Sequence, residues 1–322
     1  MSAAGFLTPT LCRLSERLGQ ELTRVEQADG DDEAVHDLRV VLRRLRSLLK
    51  PARVIYGKFH TEAVRAALKQ IADATGELRD EEVLRQTIAE LPHDTTVVDG
   101  RERWLAAREQ RESELRNRLL GLLRDGHGAR AHALLEALLL LPVDPDLDRP
   151  LEPFAARVVD RARHALRNHH TVALDDTEGL HELRILYKRL RYAAEGFAPA
   201  LPPTLAALSK HAERFQKRLG EVHDLDVALV IVADDAGLDA TTRTALREAL
   251  TAARTRATER YAAERDEARV GQAPGSFPPS SWPKHGSRKS SPPPAMPTSS
   301  PSPPAPSSSP APPSSEPRKE GG

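Results

Sequence analysis

Apolar residues recur along the first 270 positions at spacings of three and four, the mark of helices that bury one stripe, and no alternating β-branched run competes. The pattern predicts an all-α protein. Helices are expected over Thr8 to Gln27, Asp32 to Lys50, His60 to Ala74, Arg79 to Leu91, Gly100 to Arg124 and Ala129 to Leu141. After a break at Pro142 to Pro150, the series restarts over Pro153 to Asn168, Thr177 to Glu195, Pro203 to Leu219, Asp224 to Ala233 and Thr241 to Ala268. Gly76 and Gly220 read most simply as helix C-caps, where a left-handed residue is cheapest, and Asp80 and Asp224 as carboxylates opening the next helix.

Two of these helices carry nearly the same text. The stretch His36 to Arg46 returns with conservative changes as His181 to Arg191. At about 100° per residue, Leu38, Leu42, Leu45 and Leu49 form one stripe, and His36, Arg39, Arg43 and Arg46 a ladder beside it. The second copy sets Leu183, Leu186, Tyr187 and Leu190 beside His181, Arg184, Lys188 and Arg191. The repeat reaches other helices, since Gly76 to Val83 matches Gly220 to Val227 and Arg13 and Arg17 match Arg157 and Arg161, each at an offset of 144. Two half-domains are therefore expected, about 8–142 and 151–268. If they face each other across a pseudo-two-fold axis, the two ladders meet.

A single basic run is ordinarily a solvated face. Such faces usually alternate signs, yet neither ladder contains an acid at its own three- and four-residue steps, and like charges at that spacing destabilise a helix. The same liability at the same positions in two helices points to a polyanion that supplies the counter-charge.

Composition narrows the setting. Lys plus Arg and Asp plus Glu both total 47, but the Pro/Ser-rich stretch from Gly271 to Gly322 takes five of the basic and two of the acidic residues, so the body is slightly acidic. Its cationic character must be local, which fits a lined groove rather than a sticky surface. That terminal stretch has almost no aliphatic residues to offset its ordering entropy, so disorder with some polyproline II character is expected, with a protein partner for it left open. Cys12 is the sole cysteine, which excludes an intrachain disulfide and a Cys-based zinc site. No segment reaches the roughly 18 apolar residues of a membrane span, and no apolar run follows a basic segment at the N-terminus, so a cytoplasmic location is expected.

The doubled pattern His-x-x-Arg-x-x-x-Arg/Lys-Arg-x-Arg, each copy followed by a Gly-x-x-x-Asp-x-Asp/Glu-Val segment, resembles the CHAD family, the conserved-histidine α-helical domains, over about residues 8 to 268. The resemblance implies two pseudo-symmetric helical bundles around a basic central channel that binds inorganic polyphosphate. It also implies a stand-alone domain without the CYTH triphosphatase found in many relatives, because Glu112-Ser113-Glu114-Leu115-Arg116 lacks the Lys of that marker and lies in a helical segment. Thr75, Glu82 and His223 depart from the family's usual choices.

Arginine forks bind two phosphate oxygens at once, and lysine acts as a point charge. The expected polyphosphate contacts are His36, Arg39, Arg43, Arg46, His181, Arg184, Lys188 and Arg191. Arg13, Arg17, Arg157 and Arg161 form a second set, with Arg44, Arg189, Lys69 and Lys217 as weaker additions. Both histidines can donate to phosphate or add charge on protonation. No catalytic residue, cofactor or metal is assigned, and association with polyphosphate granules is one expected setting. Two rival classes remain. A metal-dependent phosphohydrolase would use the His36-Asp37 and His223-Asp224 pairs, but these occupy non-equivalent positions beside repelling arginines. A nucleic-acid module would want aromatic stacking platforms, which the body largely lacks.

Overall fold

Asp31 and Asp176 start the two ladder helices in the same way. Asp31 Oδ1 accepts from Ala34 N at 2.7 Å and Asp176 Oδ1 from Gly179 N at 2.9 Å, satisfying helix N–H groups that have no carbonyl in a preceding turn. Each cap lies five residues before its histidine, so both ladders leave the cap at the same angle. The computed structural model describes residues 1–92, 97–169 and 172–270, with side chains through residue 268. The expected disorder after Gly271 lies outside the described residues.

The chain forms α1 (Ala3–Gln27), α2 (Asp32–Ala52), α3 (Lys58–Glu90), α4 (Val98–Arg124) and α5 (His127–Leu140). It continues with α6 (Leu151–Arg167), α7 (Thr177–Gly196), a 3-10 turn (Ala198–Ala200), α8 (Pro203–Ala206), α9 (Leu208–Asp234) and α10 (Ala240–Val270). The all-α reading holds: no strand occurs among the described residues, and Ser2 makes an isolated bridge with Pro150. No described helix is long and apolar enough to cross a membrane.

Two helix ends expected from the sequence are absent. Gly76 and Gly220 are not C-caps, because α3 and α9 run straight through them. Asp80 and Asp224 consequently sit inside those helices rather than at N-termini. An interior glycine costs about 1 kcal/mol relative to alanine, so its presence needs another reason, which the site supplies.

The leucine stripe of α2 is the centre of the largest core: Leu38, Leu45 and Leu49 have no exposed surface and Leu42 has 1%. Each such side chain contributes about 1.5–3 kcal/mol by burial. That core spans α1 to α6 and takes in Leu190, Ala194 and Phe197 at the C-terminal end of α7. A second core joins Leu84, Ile88 and Trp104 of α3 and α4 to Ala228, Val232, Leu246 and Leu250 of α9 and α10. A third lies between α7, α9 and α10 around Leu183, Phe215 and Tyr261. The sequence break at Pro142 to Pro150 is therefore no break in packing. Ala3 N donates to Arg149 O at 2.7 Å and Ala4 N to Asp148 Oδ1 at 2.9 Å, which ties the start of α1 to the approach to α6.

Candidate functional site: a cationic seam

Helices α2 and α7 pack directly on one another. Gly196 allows the approach, since a Cβ there would lie 2.9 Å from Leu48 Cδ2. This contact brings the two ladders together. Tyr192 takes the Arg43 guanidinium 5.0 Å from its ring centroid and that of Arg191 at 5.6 Å, so one aromatic ring serves cations from both helices. Lys188 projects into the same space. It stays open to water, yet surrounding protein first, then the charges of Arg184, Arg43, Arg39 and Arg46, push its pKa below the ordinary lysine value.

Arg39 and Arg184 reach across to α3 and α9, and the two glycines explain how. The Arg39 guanidinium donates through Nη1 to the carbonyl of Thr75, and a Cβ on Gly76 would stand 3.8 Å from that nitrogen. On the other side, a Cβ on Gly220 would stand 3.8 Å from Arg184 Nε. A methyl group fits at that distance, but a longer side chain would occupy the guanidinium's place. Burial lowers the pKa of Arg39, opposed by the Asp80 carboxylate. Arg184 Nε is buried without a hydrogen-bond partner among the described residues. Asp224 is held above the usual carboxylate range by its burial, against the pull of Arg184, with Asp80 adding to the rise.

Arg39, Arg43, Arg46, Arg184 and Lys188 thus gather at one seam, and none of the five has an ion pair among the described residues. Arg191 differs: Glu195 holds it at 2.6 Å and Glu213 at 2.8 Å. Its charge is already matched within the protein.

The two histidines are not equivalent. His36 lies in a cleft of about 440 Å³ with Arg39, Arg79 and Arg85. His181 is engaged: its Nδ1 is 3.1 Å from His223 Nδ1, and the ring centroids are 4.5 Å apart. Burial, then Arg184 and His181, lower the His223 pKa to about 4. His223 is thus a neutral partner for His181.

The remaining candidates divide. Arg17 pairs with the buried Glu21 at 2.5 Å and Arg24 with Asp37 at 2.6 Å, a network that fastens α1 to α2 rather than opening onto the seam. Arg13 donates to Thr10 Oγ1 of its own helix at 3.3 Å. Lys69 is paired with Asp73. Arg161 and Arg189 both act on Lys50, and the charges that act most on Lys188 are others. Arg44, Arg157 and Lys217 are exposed. Asp32, Glu82 and Glu112 bring three carboxylate oxygens within 4.8 Å of one another. Arg116 meets Asp32 at 2.6 Å and Glu112 at 3.0 Å, and Arg79 meets Glu82 at 2.9 Å, so these acids serve a salt-bridge network.

Tyr192 was missed in the sequence, where it is only an aromatic following a ladder arginine. His223 was read there as the unlike partner of Arg79 in the repeat and as half of a rival His-Asp pair, not as the partner of His181.

Fold and site together define an all-α protein with a cationic seam, free of ion pairs among the described residues, between two similar helices. The chain belongs to the CHAD domain family, whose model matches residues 13–233. It is 31% identical over 256 residues to the uncharacterized protein Rv2226 of Mycobacterium tuberculosis H37Rv, a match covering 70% of this chain and 46% of the relative. It is 30% identical to the protein MT2285 of strain CDC 1551, with the same coverage. The chain thus spans about half the length of the curated relatives it matches. Among solved structures, the CHAD domain from the plant Ricinus communis superposes with a TM-score of 0.61 at 24% identity, covering 84% of this chain and 91% of that one. PptA from Streptomyces chartreusis superposes with a TM-score of 0.62 at 17% identity, covering 84% and 100%. At these identities both likenesses concern the fold.

Proposed function

We propose that the protein binds inorganic polyphosphate without hydrolysing it, along the seam of α2 and α7. The observation that carries this is the group of Arg39, Arg43, Arg46, Arg184 and Lys188, which converge from two helices with no ion pair among the described residues. Crowded cations repel, so the arrangement costs stability until an anion with closely spaced charges joins it. Polyphosphate carries about one charge per phosphate and many acceptor oxygens that match the guanidinium forks. Family membership supports the same ligand. The seam presents donors and cations rather than an activated nucleophile, so binding itself is the proposed role, with recruitment to stored polymer as its consequence.

Titrating the protein with long-chain polyphosphate, orthophosphate and duplex DNA tests the reading. Long chains should bind most tightly, with affinity falling steeply as salt rises because condensed counterions are released, and no phosphate should be liberated. Release of orthophosphate, or orthophosphate or DNA binding as well as the polymer, would overturn it.

A further inference from the structure

The ladder on α2 does not stop at Arg46. Lys50 and Arg53 continue its three-and-four spacing, so His36, Arg39, Arg43, Arg46, Lys50 and Arg53 follow one side of the helix and its C-cap. At 1.5 Å per residue this stripe is about 25 Å long. The ladder on α7 ends sooner, at Arg191, where Glu195 and Glu213 take up its charge.

The extension has cationic neighbours from other helices. Arg189 of α7, Arg65 of α3, Arg53 and Arg161 of α6 are the charges that act on Lys50, and with burial they lower its pKa. Arg65 is neutralised by Glu62 at 2.6 Å. Lys50, Arg53, Arg161 and Arg189 have no ion pair among the described residues. Three helices therefore contribute to a second group of unmatched cations at the far end of the α2 stripe. Its members differ from the cations around Lys188, and Arg46 lies one helical step from Lys50.

We propose that Lys50, Arg53, Arg161 and Arg189 form a distal phosphate subsite, which holds the part of a polyphosphate chain that runs beyond the central seam. This rests on the polyphosphate reading. A short oligomer cannot cover the whole stripe, whereas a long one reaches both groups and gains the second contact at high effective concentration. The subsite thus selects for chain length. It also accounts for the position of Arg161 and Arg189, which belong to the repeat but not to the central group.

The test uses the full chain and the double variant Lys50→Glu with Arg53→Glu, titrated with tripolyphosphate and with long-chain polyphosphate over a series of salt concentrations. Tripolyphosphate affinity should stay within about twofold of the parent, while long-chain affinity should fall by about tenfold or more. The salt dependence for the long chain should become shallower by about one to two released ions. Lys50→Gln with Arg53→Gln should give a smaller loss in the same direction, and serves if the Glu variant loses helicity. Unchanged long-chain affinity, or equal loss for both polymers, would overturn the subsite. Failure of the parent to bind either polymer would instead overturn the polyphosphate reading.

Discussion

Lys188 is held among four arginines and has no ion pair among the described residues, so its ammonium opposes the folded state and favours an anion. Lys188→Gln should therefore raise the melting temperature of the ligand-free protein, by an amount corresponding to roughly 0.5–1 kcal/mol, while weakening polyphosphate binding. Thermal unfolding and titration of the same variant check both halves, and a lower melting temperature would show that Lys188 is a packing residue. His223 makes a second prediction. Its folded pKa of about 4 lies below the unfolded value of about 6.5, so between these pH values the unfolded chain takes up a proton that the folded chain refuses. Stability from this source is present above about pH 6.5 and lost as pH falls toward 4. His223→Asn should flatten the melting-temperature slope in that window, and an unchanged slope would contradict the assignment. At this scale the ladder cations were legible because their spacing is local. The acids on Arg191 were half legible, Glu195 sitting one turn away on the same helix and Glu213 arriving from α9. The His181–His223 contact joins residues far apart in sequence and needed the fold.

Helix α3 and helix α9 show how a local signal can mislead. Glycine followed by charged residues resembles a helix end, yet both helices continue, because long-range packing on α2 and α7 outweighs the propensity penalty. The glycines instead keep the helix surface bare where Arg39 and Arg184 lie. Since a Cβ at position 76 meets Arg39 Nη1 at 3.8 Å, Gly76→Ala should be accommodated and stabilise the helix by up to about 1 kcal/mol. Gly76→Leu should displace Arg39 and weaken polyphosphate binding several-fold, to roughly the extent expected for loss of one charge-assisted contact. Unfolding curves and titrations of the pair separate these outcomes, and equal binding by both variants would show that the bare surface is irrelevant to the ligand. Helix existence, type and buried stripe were readable from period and leucine placement. The two false boundaries arose because the sequence reports that a residue has no side chain, not which neighbour needs the space.

At the scale of the molecule, two of the three cores tie the chain across its sequence break, and the seam lies where α2 meets α7. The repeat in the sequence announced two related helices. It did not say whether they face each other, which depends on Leu48 under Gly196 and on Tyr192 between arginines of both helices. If the seam is one site, both helices must act on the same ligand. The most direct measurement is a calorimetric titration of long-chain polyphosphate into the parent protein, the Arg39→Glu/Arg43→Glu variant and the Arg184→Glu/Lys188→Glu variant, with helicity recorded for each. Each pair alone should reduce affinity by about a hundredfold or more, corresponding to about 2.7 kcal/mol, without loss of helicity. A folded variant of either pair that binds with near-parental affinity would show that the two ladders work separately, and would contradict a shared seam.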